Sequence, residues 1–168
     1  EAQVIVHCTD ATAKALVHAE LSQFVTYRQS KTFDEQYGAE KAKIGLGETN
    51  GGAASAEVEI IVSDEESAGA SFLLREREIV RVTRSYGRMR FVNQLKNFKT
   101  DDGRFIANEA ELTYYSNESG AIAGQIHYQD HYEKVGGYWL PLRRKKSETA
   151  REKTDSLELN LSNVRYLK

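Results

Sequence analysis

One cysteine, one proline, one methionine and one tryptophan stand in 168 residues, and most of these scarcities remove a class of explanation. A lone Cys8 cannot close an intramolecular disulfide, and it leaves no CxxC pair or Cys/His set for zinc. It points to a reducing compartment. The single Pro141 leaves almost every backbone N–H free to donate to a ladder, as a largely uninterrupted sheet requires. An excess of one charge is missing as well: 23 Lys and Arg stand against 25 Asp and Glu, a formal net charge of -2. No global attraction to nucleic acid or to an anionic membrane follows. No apolar run approaches the ~18 residues of a membrane span, and the first residues lack the basic-then-apolar form of a signal peptide. These absences leave one soluble domain over residues 1–168, a length that buries roughly two-thirds of the surface of its unfolded chain.

What is present changes period once. Glu1 to Cys8 is short and β-branched and predicts a strand, with Thr9 or Asp10 capping a helix after it. Ala13, Leu16, Val17, Leu21, Phe24 and Val25 recur at spacings of three and four, which predicts one helix from about residue 10 to 31. The Gly38, Gly45 and Gly47 region ends it, and Thr49-Asn-Gly-Gly-Ala53 reads as a turn. From there the period is two. Val58, Ile60 and Val62, then Phe72 and Leu74, Val80 and Val82, and Met89, Phe91 and Leu95 alternate with polar residues. Ile106, Leu112 and Tyr114 follow, then Ile126, Tyr128 and Tyr132, and last Leu157, Leu159 and Leu161. Asp101-Asp-Gly103 and Gly136-Gly137 are strong hairpin signals, since both sequences accept the positive φ of tight turns. The charged stretch Lys145 to Lys153 reads as a solvated hairpin tip. The expected fold is mainly β (α+β): a long, strongly twisted antiparallel sheet of about seven to nine strands, with the one main helix (about 10 to 31) covering its concave or apolar face.

Few residues are arranged for chemistry. Arg75, Arg77, Arg81, Arg88 and Arg90, extended by Arg143, form a candidate basic strip for an anion or an acidic partner, because guanidinium groups bind oxyanions in bidentate fashion. An exposed strand face balanced by neighbouring glutamates is the plainer account. His127 and His131 share a face but lie roughly 13 Å apart on a strand, too far for one metal ion. No metal site and no cofactor is expected. Gly45-Leu-Gly47 lacks the remaining features of a phosphate loop. Asp130 alternates with Ile126, Tyr128 and Tyr132 and so points inward, where a carboxylate needs a partner, with Arg143 or a tyrosine hydroxyl within reach. Tyr114, Tyr128, Asp130, Tyr132 and Trp139 together make an aromatic wall, read either as core packing or as the lining of a ligand groove. No catalytic motif is found.

The segment Asp130-His-Tyr-Glu-Lys-Val-Gly-Gly-Tyr-Trp-Leu140, with Arg143-Arg144, Leu157 to Leu167 and the upstream Leu21 to Gly38, resembles a family from photosynthetic organisms, domain of unknown function 3386. The Lys-Val-Gly-Gly-Tyr hairpin is also similar to hairpins of lipoprotein-carrier (LolA-like) half-barrels, curved sheets that wrap a helix and hold acyl chains. Strong, half-barrel-like curvature of the sheet is what this similarity implies. The family resemblance implies a chloroplast or cyanobacterial location and no catalytic residues. It also implies that an N-terminal part of a longer domain is missing from this chain. The expected function is non-enzymatic binding of an apolar or lipid-like ligand or of a partner segment. The alternatives are an accessory subunit of a photosynthetic complex, and an enzyme on a lipid or pigment using Asp130 and a tyrosine. Nucleic acid is not an expected partner.

Overall fold

A computed structural model describes residues 9–27, 42–46, 57–62 and 69–164. The expected first strand, Glu1 to Cys8, and the Thr49 to Ala53 turn lie outside them. The chain divides into two units, Glu1–Ala39 and Glu40–Lys168.

The first unit contains α1, Ala11–Tyr27. Its start is fixed by Asp10, whose Oδ1 accepts hydrogen bonds from the backbone N–H of Thr12 at 2.8 Å and of Ala13 at 2.9 Å. Those donors belong to the first turn, which has no carbonyl to receive them. The helix leaves Leu16 exposed and buries Glu20, so the apolar stripe expected from the spacing is not simply the buried face. Residues 28–31 of the expected helix lie outside the described residues.

The described residues of the second unit form a single sheet of nine strands: β1 Ala42–Leu46, β2 Glu57–Val62, β3 Ala70–Arg75, β4 Glu78–Tyr86, β5 Met89–Lys99, β6 Phe105–Ser116, β7 Ile122–Val135, β8 Tyr138–Ala150 and β9 Lys153–Asn160. Every strand pairs antiparallel with its neighbour in sequence, and the order runs from β1 to β9. The sheet is therefore open, as a half-barrel is, with β1 and β9 at its edges. The Gly136-Gly137 turn has φ of 57° and 88°, the left-handed pair that a two-residue hairpin needs and that glycine adopts without a Cβ clash.

Alternation sorts the faces. One cross-strand row reads Ile60, Phe72, Val82, Asn93, Leu112 and Ile126, and the next reads Leu95, Ala110, Tyr128, Lys146 and Leu157. This face holds the buried Val62, Ala70, Phe72, Ile126, Tyr132 and Leu159. The opposite face reads Arg81, Gln94, Glu111, His127, Ser147 and Ser156. It is mainly polar, with Leu73 and Val92 as apolar members and Leu73 buried, and a shallow trough of about 670 Å³ lies over it between Leu73 and His127. One apolar and one solvated face is the usual division for an antiparallel sheet.

Three expectations are corrected. The region around Gly45, expected only to end the helix, is strand β1, with Gly45 opposite Glu59. The stretch from Arg75 to Arg81 does not alternate as one strand, because Glu76 and Arg77 form a hairpin turn with φ of 50° and 72° and the β3–β4 register then shifts between Leu73 and Leu74. The tip expected over Lys145 to Lys153 shrinks to Arg151 and Glu152. Lys145, Lys146 and Thr149 continue β8, facing Glu158, Leu157 and Thr154. Opposite charges across the ladder, and the Thr149–Thr154 hydroxyl contact at 2.9 Å, make a polar sequence acceptable in a strand.

Candidate functional site

The far ends of β5, β7 and β8 bring three rings together on the apolar face. Phe98 lies 5.7 Å from Tyr132 and 5.4 Å, edge to face, from Trp139, centroid to centroid. β5 and β8 are three places apart in the sheet, about 14 Å if the sheet were flat. The contact therefore requires the sheet to curl toward its apolar face at this end. Two irregularities accommodate the curl. In the β5–β6 ladder Lys96 faces Glu109 while Asn97 faces Ala107, which leaves Asn108 as an extra residue. In the β7–β8 ladder His131 faces Arg143 while Tyr132 faces Pro141, which leaves Leu142 extra. Such bulges bend a strand and increase its twist. Pro141 sits at the second one, where its missing donor costs little.

Beside the rings lies a buried ion pair. Arg144 donates from Nε to Asp130 Oδ1 and from an NH2 nitrogen to Oδ2, both at 2.7 Å. The Tyr132 hydroxyl donates to the same Oδ2 at 3.1 Å. The side chains are only 11% and 6% exposed. The guanidinium also lies over the Tyr128 ring, 4.7 Å from its centroid, an arrangement that lowers the cost of holding a cation there. The inward Asp130 and the tyrosine partner match the alternation. The cationic partner is Arg144 and not Arg143, because Leu142 shifts the register by one residue.

A second contact closes the same end, beside Trp139, which pairs with Lys134 across the β7–β8 ladder. Lys134, next to the β7–β8 turn, forms an ion pair with Asp101 at the β5–β6 tip. Lys134 holds the Asp101 carboxyl below its ordinary range. The β5–β6 tip is braced internally. Asp102 takes hydrogen bonds from Arg104 and from the Thr100 hydroxyl, and these two, Arg104 foremost, hold its carboxyl well below the ordinary range.

The other expected residues disperse. Tyr114 is on the apolar face but at the opposite end of β6, tilted against Phe91 at 6.2 Å. Arg75 ends β3 and Arg77 is in the turn after it. Arg75 and Arg81 do share a face, and both line the trough over it. Arg88 is in the β4–β5 turn, 3.4 Å from Glu118. Arg90 covers the Tyr115 ring at 5.0 Å, and Arg143 bonds Glu158 at 2.8 Å. These arginines do not make a continuous strip. His127 and His131 share the polar face. Among the described residues, no hydrogen-bond partner meets the buried Nε2 of His127, and no group of His, Cys, Asp and Glu has the disposition of a metal site. Phe98 and Arg144 were not among the expected site residues; for Arg144 the one signal was Pro141, which marks where the β7–β8 ladder slips, and for Phe98 there was none.

The family model described as "Protein of unknown function (DUF3386)" matches residues 1–167. The chain belongs to this family. The match takes in all nine strands, so the aromatic cluster and the Asp130–Arg144 clamp lie within the family's own domain. No curated protein and no solved structure matches the chain. Among the described residues, no helix is long and apolar enough to cross a membrane.

Proposed function

We propose that the protein is a non-catalytic binding protein of a photosynthetic organism, whose open sheet seats an apolar, lipid-like ligand or a partner's apolar segment against its aromatic end. The observation that carries this reading is the gathering of Phe98, Tyr132 and Trp139 from three strands onto the apolar face of a sheet that does not close. Phe98 and Trp139 remain half-buried, so their rings still offer surface. Aromatic rings present large apolar area with few rotatable bonds, which suits them to lining a binding surface. The resemblance read in the Gly136-Gly137 hairpin to those of acyl-chain carriers favours this reading, and the resemblance to a family of photosynthetic organisms favours a plastid or a cyanobacterial cell. Catalysis through Asp130 is poorly served, since Arg144 and Tyr132 occupy its oxygens.

Trp139 is the only tryptophan, so its emission reports on the site directly. Brominated stearate is expected to quench that emission in a saturable way, and native mass spectrometry is expected to show one bound chain. An emission unchanged by excess fatty acid would remove the lipid-like ligand. A second reading, an accessory subunit of a larger photosynthetic complex, draws on the edge β9, which among the described residues pairs only with β8. Lys153, Asp155 and Glu158 along it discourage indiscriminate strand addition, so this reading needs a partner of matched charge.

A further inference from the structure

We propose that the β5–β6 and β7–β8 hairpin tips form an electrostatic clasp that opens and closes the aromatic end of the sheet. The clasp rests on the binding reading only for what its opening serves.

The backbone ladder does not hold these tips together. The β6–β7 register ends at Glu109 opposite Gln129, so β7 beyond Gln129 has no ladder partner in β6. Side chains span the gap instead: the Asp101–Lys134 ion pair, and beside it Phe98 against Tyr132 and Trp139. Each hairpin also has a bulge between its tip and its fully paired body, Asn108 in β6 and Leu142 in β8. A bulge interrupts the ladder and gives the tip a place to bend. The β5–β6 tip, braced by Thr100, Asp102 and Arg104, moves as one piece. The ion pair is 58% and 43% exposed. Such a pair is weak and screened by salt, as a closure that must reopen requires.

The test uses acrylamide quenching of Trp139 in the whole chain without ligand. Asp101→Asn and Lys134→Gln are each expected to raise the quenching constant about two- to fivefold, the range set by one exposed ion pair. Raising NaCl from about 10 mM to about 1 M, which shortens the Debye length from ~30 to ~3 Å, is expected to do the same to the wild type but not to the variants. The charge-reversed double variant Asp101→Lys/Lys134→Asp restores the wild-type value. Equal constants in all proteins at both salts would overturn the clasp, and so would an equal rise from Lys153→Gln, which breaks the unrelated Lys153–Asp155 pair. The same proteins are then mixed rapidly with brominated stearate, and quenching is expected to develop faster in Asp101→Asn. A clasp that responds to salt and mutation while stearate never quenches upholds the clasp and removes the lipid reading alone.

Discussion

Asp130 shows how far a single residue can be read. Its parity along β7 was enough to place the carboxylate on the apolar face and to require a partner, because an unpaired buried charge is not tolerated. Which of two adjacent arginines serves was not legible, since that depends on Leu142, an irregularity with no pattern of its own beyond the neighbouring proline. The energetics separate a structural clamp from a ligand-binding acid. Arg144→Met, which strands the carboxylate, is expected to cost about 3–5 kcal/mol in urea denaturation, whereas the double variant Asp130→Leu/Arg144→Met returns to within about 1 kcal/mol of wild type. An equally large loss in the double variant would mean that the pair sets the local fold beyond satisfying its own charges.

Among the elements, hairpins with glycine in their turns were sharply placed, whereas those without were missed, as at Glu76-Arg77, or drawn too long, as at Arg151-Glu152. Gly136-Gly137 and Asp102-Gly103 advertise positive φ; Glu76-Arg77 and Arg151-Glu152 adopt it without advertising it. Charged residues there look like strand or loop, which is why Arg75 to Arg81 read as one basic face and Lys145 to Lys153 as one long tip. β1 was missed for a related reason, since glycine at position 45 suggests a break. The helix was legible because its period and the Asp10 cap agree. A left-handed non-glycine residue is strained by about 1–2 kcal/mol, so Arg77→Gly is expected to stabilise the sheet by about 1 kcal/mol, read as a higher urea midpoint at unchanged m-value. A lower midpoint would mean that the Arg77 side chain contributes more than its backbone costs.

Across the whole molecule the sheet was anticipated as open and sequential, because turn signals recur between short alternating runs and no segment reads as a crossover. Its curl was expected from the family likeness, but the rings that reveal it were only partly foreseen. Charge is organised in cross-strand and tip pairs more than in patches. Glu109 is held below the ordinary carboxylate range by Lys96, and Glu158 by Asn160 and Arg143; Asp101 and Asp102 behave alike. Depressed carboxyls favour the folded state while ionised, so their contribution is full above the unfolded range near ~4 and is lost as pH falls through the folded values. The melting temperature is accordingly expected to change little from about pH 7 to 5.5 and to fall below about pH 4, with a shallower acid limb in Asp102→Asn. A melting temperature that rises on acidification would contradict this assignment of the pairs.

The strict order from β1 to β9 also decides how the sheet responds to force. A chain held at Ala42 and Asn160 loads its ladders one hydrogen-bond pair at a time, from an edge inward, as a zipper does. Among the described strands neither end is tied to one deep in the sheet, so no ladder between them bears the whole load in shear. A partner or protease engaging either edge strand can peel it away while the strands around β5 to β7 remain paired.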